Sequence, residues 1–405
     1  MRIILLVLLA ACTPKDRAEP VITEPGTGAT GGGAGAGGAG GGSGGTGGAG
    51  GTGGSGGAGG GGGTGGTGAV VVDQFGPDTS RTFTVIGTDA DKLRTVRDIA
   101  FHPTRPEELW TINQDTDGVV IFFDPGTPGQ TSLELLDIVR NHFMEEVSSL
   151  AFGSDDDSFA SCQESRNTYD GSQPPDDFMG PVLWPGGSDV FAQANQGAFS
   201  LGSHIDMLHQ SPNCMGIAWD KEHVYWVFDG FNSELVRYDF ADPHVMGGDD
   251  HADGIIQRWE EVTLTRVAGV PGQMELDPAT GLLYIADTGA SRVLVVDTAT
   301  GTSGGVLPLT NEPLDTFVRW VDNDAWDLVT TGLTEPSGLD LHDGTLFVSD
   351  HATGEIIAFD LDGNELQRIS TPEGVGIMGI EVGPDGLIHY VNGVANVVVR
   401  VDAGT

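Results

Sequence analysis

The sequence predicts an all-β fold, a six-bladed β-propeller preceded by a disordered Gly-rich tether, and three features support this prediction. A pattern of three short apolar strands recurs six times after residue 70. Polar turns rich in Gly, Pro and Asp separate the strands, as in residues 277–281 and 383–386. An alternating segment, residues 81–86, precedes the first copy and is free to pair with the last one. Small antiparallel sheets of this kind pack face to face around a central axis.

The six copies share one plan. Each opens with a strand of the form small-apolar-x-apolar, continues with an apolar strand that ends in a polar residue, and finishes with a third strand of branched residues. Apolar runs of this length indicate strands that are covered on both faces. The opening strands are Asp98-Ile-Ala-Phe101, Ser149-Leu-Ala-Phe152, Gly216-Ile-Ala-Trp219, Gln273-Met-Glu-Leu276, Gly338-Leu-Asp-Leu341 and Gly379-Ile-Glu-Val382.

The sixth copy stops after its third strand, which leaves its blade one strand short. We therefore expect the N-terminal strand, residues 81–86, to close the last blade, because a closed ring leaves no open sheet edge. A seven-bladed ring is the alternative. Its extra unit would lie within residues 305–330, a segment that is rich in Asp and Trp and lacks the repeated pattern.

One copy carries the pattern most completely, in Pro336-Ser-Gly-Leu339, Leu346-Phe-Val-Ser-Asp350 and Glu355-Ile-Ile-Ala-Phe-Asp360. These motifs resemble the NHL-repeat family of six-bladed β-propellers, and the resemblance covers about residues 80–405. It implies the fold far more specifically than it implies an activity.

Residues 1–11 form a signal peptide, because Arg2 precedes an apolar run that is shorter than the roughly 20 residues needed to span a bilayer. The closing Leu9-Ala10-Ala11-Cys12 resembles a bacterial lipobox. The resemblance implies a mature chain that begins at Cys12 and is anchored to the lipid bilayer through acyl chains on this residue. Thr13 follows Cys12, and the absence of Asp at this position resembles the pattern of outer-membrane lipoproteins and not that of inner-membrane lipoproteins. We therefore expect an outer-membrane-anchored lipoprotein of the bacterial cell envelope, on its periplasmic side or at the cell surface.

Two regions follow the signal peptide. Residues 12–69 comprise the lipidated cysteine and a disordered linker, since 29 of the 43 residues from 26 to 68 are Gly and almost no large apolar side chain is present. Residues 70–405 form the propeller. The formal net charge of −40 excludes nucleic acid as a partner, because such a surface repels phosphate.

Cysteine use indicates a disulfide. Besides Cys12, the chain contains only Cys162 and Cys214, and both belong to an exported chain in which thiols oxidise. Cys162 ends the second strand of blade two, and Cys214 precedes the first strand of blade three. These positions lie on the same face of a propeller, so we expect the two residues to be bonded.

Polar residues end equivalent second strands and predict an acidic ring at the channel mouth. Ring carboxylates suit Ca²⁺, but Asp at this position also caps turns by accepting backbone N–H bonds. Propellers of the calcium lactonase and gluconolactonase type have Asn or Asp at the start of several inner strands. Among the corresponding residues here only Asp98 is acidic, which weakens the resemblance to those enzymes. The ring comprises Asp229, Asp287, Asp350 and Asn392, with Glu164 near the matching place in blade two.

Histidines suggest a second kind of metal site. His142 precedes the first strand of blade two, while His204 and His209 precede that of blade three, so their imidazoles are expected to meet at the channel mouth. The arrangement resembles peptidyl-hydroxyglycine amidating lyase, a six-bladed propeller that holds zinc with histidines from separate blades. The resemblance implies a histidine from a third blade, but no third blade here has a His at the matching connection. His351, at the end of the second strand of blade five, is the nearest substitute. Three neutral imidazoles would leave an open position on Zn²⁺.

The run at residues 242–253 contains two His and several Asp that suit a divalent ion. It falls in the hairpin between the third and fourth strands of blade three, on the face opposite the connections between blades. A flexible Gly-containing turn in solvent is the alternative interpretation.

These observations predict a lipid-anchored module that binds or scaffolds an unknown protein or small-molecule ligand. The alternative is a metal-dependent lyase or hydrolase, with Zn or Ca as its cofactor, working at the channel mouth. Stoichiometric metal in the dialysed protein would favour the enzyme.

The lipobox generates a first test. Cys12→Ser is expected to move the protein from the membrane fraction to the soluble fraction, because the acceptor thiol is lost. Fractionation and intact-mass measurement check this, with Thr13→Ala as the control that stays in the membrane. A Cys12→Ser protein that remains membrane-bound would contradict the anchor.

Overall fold

The computed structural model of the chain describes residues 71–153, 157–167, 177–309 and 312–404. Its strands form six small sheets, and the innermost strand of each sheet contacts the innermost strands of two neighbours. The six sheets therefore close into a ring, which confirms the six-bladed β-propeller. The predicted signal peptide, the lipidated cysteine and the tether lie outside the described residues. Within the described ranges, no helix is both long and apolar enough to cross a bilayer.

The strands are numbered in chain order, and each blade is given from its innermost strand outward. The first strand, β1 (Thr82–Gly87), stands ahead of blade one. Blade one contains β2 (Val96–Phe101), β3 (Glu108–Asn113), β4 (Gly118–Phe123) and β5 (Thr131–Leu135). Blade two contains β6 (Val147–Phe152), β7 (Ser158–Gln163), β8 (Val182–Pro185) and β9 (Asp206–Met207). Blade three contains β10 (Cys214–Lys221), β11 (Val224–Asp229), β12 (Glu234–Asp239) and β13 (Ile255–Thr263).

The second half of the chain repeats the plan. Blade four contains β14 (Met274–Asp277), β15 (Leu282–Asp287), β16 (Arg292–Asp297) and β19 (Ala325–Val329), after the hairpin of β17 (Thr302–Val306) and β18 (Thr316–Val321). Blade five contains β20 (Pro336–His342), β21 (Thr345–Asp350), β22 (Glu355–Asp360) and β23 (Glu365–Ser370). Blade six contains β24 (Ile377–Val382), β25 (Ile388–Asn392) and β26 (Val397–Asp402). Within the described part of the chain, helical structure is limited to α1 (Arg140–Phe143) and two 3-10 turns, Asp89–Asp91 and Thr288–Ala290.

The N-terminal strand completes blade six, as predicted. β1 pairs antiparallel with β26, with Thr82 opposite Asp402 and Val85 opposite Val399. The first and last strands of the ring are thus joined by backbone hydrogen bonds. This pairing removes the open edge that β26 would otherwise present to solvent.

The seven-bladed alternative is wrong. The segment proposed to hold an extra unit instead contributes β17 and β18, which add to the outer side of blade three, where β18 runs parallel to β13. The chain then returns to blade four and supplies β19 as its outermost strand. The segment lacked the repeated pattern because its strands extend two existing sheets and form no sheet of their own.

Buried apolar side chains form six clusters, one between each pair of neighbouring blades. Between blades one and two, Trp110 of β3 packs against Phe159 of β7 with ring centroids 5.4 Å apart. Burying one large apolar side chain contributes about 1.5–3 kcal/mol. The continuous apolar runs of the sequence therefore reflect strands sandwiched between two neighbouring sheets.

The predicted disulfide is present. Cys162 at the end of β7 is bonded to Cys214 at the start of β10, with their Cα atoms 5.4 Å apart. The bond links the second strand of blade two to the innermost strand of blade three. It closes a sequence separation of 52 residues, which includes the long connection of blade two.

Ring closure can be tested on two neighbouring β-branched residues of β1. Ile86 is 4% exposed and belongs to the cluster between blades six and one, whereas Val85 is 53% exposed. Ile86→Ala is expected to lower the free energy of unfolding by about 2–4 kcal/mol, and Val85→Ala by about 0.5 kcal/mol or less. Urea unfolding measures both. Equal losses for the two variants would show that β1 adds little to closure.

Candidate functional site

The four strand-end residues predicted as an acidic ring are occupied by backbone hydrogen bonds. Asp229 accepts from the N–H groups of Phe231 and Asn232 at 3.0 and 2.9 Å. Such bonds match the turn-cap interpretation, since the carboxylate oxygens that would face Ca²⁺ are already used. Equivalent bonds from following or adjacent loops reach the buried side chains of Asp287, Asp350 and Asn392.

Glu164 has a different environment. Its carboxylate lies 3.2 Å from the Arg97 guanidinium and accepts the Gly269 N–H at 2.9 Å. Arg97 belongs to blade one, Glu164 to blade two, and Gly269 to the connection between blades three and four. Burial lowers the pKa of Arg97, and the charge of Glu164 acts in the opposite direction. This buried pair ties three parts of the ring together across one end of the channel.

Three of the predicted histidines, His142, His204 and His209, line one cavity of about 230 Å³. The cavity lies beside β9, the outermost strand of blade two, and not at the channel mouth. The imidazole of His209 stacks on Phe178 with centroids 3.5 Å apart, and its Nδ1 lies 2.6 Å from a carboxylate oxygen of Glu312.

The strand β9 explains the different location. The sequence analysis placed His204 in the connection that leads into blade three, because a two-residue strand has no detectable pattern. With β9 at Asp206–Met207, His204 belongs instead to the connection between the third and fourth strands of blade two. The run at residues 242–253 is the equivalent connection of blade three, and it brings His251 to this cavity.

His351 lies elsewhere. It follows β21 in blade five, where its Nδ1 is 2.9 Å from a carboxylate oxygen of Glu335. It does not line the cavity that the other three histidines share. The four-histidine set expected from the sequence is therefore divided between two distant blades.

A larger cavity of about 470 Å³ occupies the central channel and touches the inner strands of all six blades. It extends to the turns between first and second strands, where Pro103, Pro278 and Pro384 lie on its wall. Aromatic side chains line it at Phe101 and Trp219, and among the described residues no Lys or Arg does. The cavity thus combines aromatic and acidic surface, and His102 is the basic side chain among its described lining residues.

The third position of the repeated small-apolar-x-apolar pattern lines this cavity in every blade, and its residue type differs between two halves of the ring. In blades one to three the position is alanine, whereas in blades four to six it is acidic. Small side chains on one half leave open space in front of carboxylates on the other half. The six residues, in blade order, are Ala100, Ala151, Ala218, Glu275, Asp340 and Glu381.

Two of the three carboxylates also hold the next blade. Asp340 accepts the Val382 N–H at 3.0 Å, and Glu381 accepts the Phe101 N–H at 2.7 Å. Each bond crosses from one inner strand to its neighbour, which no sheet hydrogen bond does. Glu275 has no hydrogen-bond partner among the described residues.

Asp98, the first residue of the repeated pattern in blade one, joins blade one to blade two. Its carboxylate accepts from the Ser149 hydroxyl at 2.8 Å and from the Leu150 N–H at 2.9 Å. The Gln273 side chain donates to the same carboxylate from blade four, across the channel. Gln273 and Asp98 therefore bridge the channel at one end of the cavity.

Burial controls the protonation of the channel acids. It raises the pKa of Glu275 to about 8, and the nearby charge of Asp340 adds to the shift. Burial also raises the pKa of Asp340 to about 6 and that of Asp98 to about 7, although hydrogen bonds oppose both shifts. The pKa of Glu381 is raised well above its usual value for the same reason. A carboxyl group without a hydrogen bond, Glu275, is thus held mostly neutral at pH 7.

Glu275, Asp340 and Glu381 were not among the predicted site residues, because only the first residue of each copy's repeated pattern was considered. The signal was present in the variable position of the repeated small-apolar-x-apolar pattern. Strand geometry places alternate residues on one face, so an acidic residue two positions beyond the strand start faces the same side as that start. An acidic residue at this position in three successive copies indicates a shared environment.

No family model matches the chain, and no curated protein matches it. Solved structures match in fold. An auxiliary nutrient binding protein from Bacteroides ovatus is similar with a TM-score of 0.51 at 9% identity, over 80% of this chain and 76% of that chain. A luciferin-regenerating enzyme is similar with a TM-score of 0.50 at 11% identity, over 80% of this chain and 98% of that chain. At these identities the similarity shows a shared propeller fold.

Proposed function

We propose that this protein is a cell-envelope binding module, anchored to the outer membrane through lipid on Cys12, whose central channel binds a small organic cation. The observation that carries the proposal is Glu275, an acidic side chain without a hydrogen-bond partner that faces the alanine-lined half of the channel. The cavity of about 470 Å³ falls within the range of about 300–1,000 Å³ that is usual for small-molecule sites.

The chemistry of the wall favours an amine. Ionised Glu275 offers a charge-assisted hydrogen bond to an ammonium group, which is stronger than a bond between neutral partners. The rings of Phe101 and Trp219 line the same cavity and provide faces for cation–π contacts. A bound cation also favours the ionised form of Glu275, which burial and the nearby charge of Asp340 otherwise disfavour.

The neighbouring structures and the N-terminal region support a binding role. One protein of the same fold is described as an auxiliary nutrient binding protein, and capture of a nutrient suits a protein held at the cell envelope. The Gly-rich linker would allow the propeller to reach away from the membrane surface. NHL-type repeats, as inferred from the sequence, are compatible with this role because propellers commonly serve as rigid binding scaffolds.

Amine binding is tested by titrating the full-length chain with putrescine and spermidine at pH 8.5 and measuring heat. Glu275→Gln is expected to raise the Kd by at least about tenfold, because a hydrogen bond to a charged group contributes about 1.5–3 kcal/mol. Glu260→Gln is the matched control, since Glu260 pairs with Arg319 on the outer strand of blade three. It is expected to leave the Kd unchanged.

Butane-1,4-diol, which has the length of putrescine without its charge, is expected not to bind. Binding of the diol with the affinity of the diamine would contradict recognition by charge. Amine binding that is equally weak in wild type and Glu275→Gln would exclude Glu275 as the recognition group.

The raised pKa of Glu275 predicts a pH dependence of stability. The folded state retains a proton that the unfolded state releases above its ordinary pKa of 4.5, so stability falls as pH rises from about 4.5 to the folded pKa of about 8. Glu275→Gln is expected to flatten this fall in the melting temperature, and Glu260→Gln to preserve it. An unchanged pH profile in Glu275→Gln would show that the carboxyl group is ionised at ordinary pH.

A further inference from the structure

Asp206, His244 and His251 come together at the outer edge between blades two and three. Each offers one ligand atom, and these atoms all lie within 4.8 Å of one another. Asp206 belongs to β9, while both histidines belong to the connection between β12 and β13. Within the described part of the chain, no other group of three or more His, Cys, Asp or Glu residues meets this spacing.

Two buried atoms of this group, Asp206 Oδ2 and His244 Nε2, have no hydrogen-bond partner among the residues that the structure describes. Asp206 itself is only 1% exposed. A buried carboxylate oxygen or imidazole nitrogen without a partner costs about 1–3 kcal/mol or more, so natural proteins rarely contain two side by side. One bound cation would satisfy both atoms at once.

The hydrogen bonds of His244 fix its tautomer. Its Nδ1 lies 2.9 Å from the carbonyl oxygen of Val245. A carbonyl can only accept, so Nδ1 carries the proton and the lone pair is on Nε2, the buried nitrogen for which no hydrogen-bond partner is found among the described residues. Metal-binding histidines commonly donate their other nitrogen to a carbonyl or carboxylate in this way.

A further imidazole is oriented in the same manner. His204 Nδ1 donates to the carbonyl oxygen of Leu201 at 2.7 Å, and its ring lies 5.1 Å from that of His244. Because Nδ1 donates this bond, the neutral imidazole of His204 has its lone pair on Nε2. His204 also stacks on Phe143 with centroids 3.9 Å apart, which holds the ring in place.

The two connections that supply the group are tied together. The Gly247 N–H donates to the carbonyl oxygen of His204 at 2.8 Å. Gly247 has a φ of +69°, and a Cβ there would meet the Asn195 side chain. The backbone between His244 and His251 is therefore held against the blade-two connection and does not extend freely into solvent.

We propose that Asp206, His244 and His251 bind a divalent transition-metal ion, with zinc as the best-suited class and His204 as a neighbouring third imidazole. Two imidazoles and one carboxylate are donors that zinc prefers, whereas Ca²⁺ takes six to eight oxygens. Ligand atoms about 2.0–2.2 Å from one ion are at most about 4.4 Å apart. The observed spacing of up to 4.8 Å needs only a small side-chain adjustment.

The site is separate from the channel and goes beyond the amine-binding function. The neighbouring cavity of about 230 Å³ is lined by His251 and by apolar side chains such as Phe178, Leu201 and Met207. A metal with three protein ligands would keep a coordination position for a molecule that enters this cavity.

The test uses full-length protein that has been stripped with chelator and then titrated with Zn²⁺ and, for its visible spectrum, Co²⁺. Wild type is expected to bind one ion per chain, and Co²⁺ to give absorption typical of four- or five-coordinate sites. His244→Ala and His251→Ala are expected to weaken binding by about tenfold or more, because each removes one ligand. His342→Ala, a half-buried histidine of blade five, is the matched control and is expected to bind as wild type does.

Folding of each variant is checked by far-UV circular dichroism. If an alanine variant does not fold, Asp206→Asn and His244→Gln carry the test, since they preserve side-chain size. Binding that is absent from wild type, that is equal in wild type and folded ligand variants, or that is lost equally in His342→Ala overturns the proposal. Glu275→Gln is expected to leave zinc binding intact, so failure of the channel proposal and of this one are distinguished.

Discussion

The pairing of β1 with β26 is the interaction on which the rest of the structure depends. Neighbouring blades share no strand pairing, so each interface relies mainly on side chains, with isolated backbone bonds such as that from the Gln273 N–H to the Ser337 carbonyl oxygen at 2.9 Å. One backbone seam converts this row of sheets into a ring, because it binds the first strand of the chain to the last. Only in a closed ring do inner strands of blades one and six face each other, and only then does the channel have a complete wall.

Side-chain hydrogen bonds between inner strands also connect neighbouring blades, and they determine which groups line the channel. The carboxylates of Asp98, Asp340 and Glu381 accept hydrogen bonds from N–H groups of the next blade. These bonds connect inner strands that no sheet pairing joins. These three carboxylates line the central channel. The residues that connect the blades are therefore also a source of negative potential in the channel. Glu275 occupies the same position without such a bond. Three of these inner-strand carboxylates therefore link neighbouring blades, and Glu275 is the one to which we assign the proposed amine recognition.

The two proposed sites have different origins, since one lies in the channel and the other is formed by connections between strands. The connections between third and fourth strands are long in blades two and three, and neighbouring blades bring them side by side. A short outermost strand, β9, leaves room for both. The result is an enclosed group of polar side chains at the rim, where a regular blade would present only a solvent-exposed hairpin. The hairpin of β17 and β18 covers the adjacent part of blade three and supplies Glu312 to His209.

The sequence alone determined the number of blades, the closing strand and the Cys162–Cys214 bond, because each depends on local patterns repeated at a regular spacing. Apolar runs report burial on two faces, and cysteines at matched strand ends report one face of a propeller. Tertiary structure decided which histidines meet. His251 reaches Asp206 through packing of two irregular connections, and irregular backbone has no period from which its path can be inferred. It also decided that Asp340 accepts an N–H group from the next blade while Glu275, at the same position of the repeated pattern, accepts none among the described residues, because such a contact depends on how neighbouring blades pack and not on the local pattern.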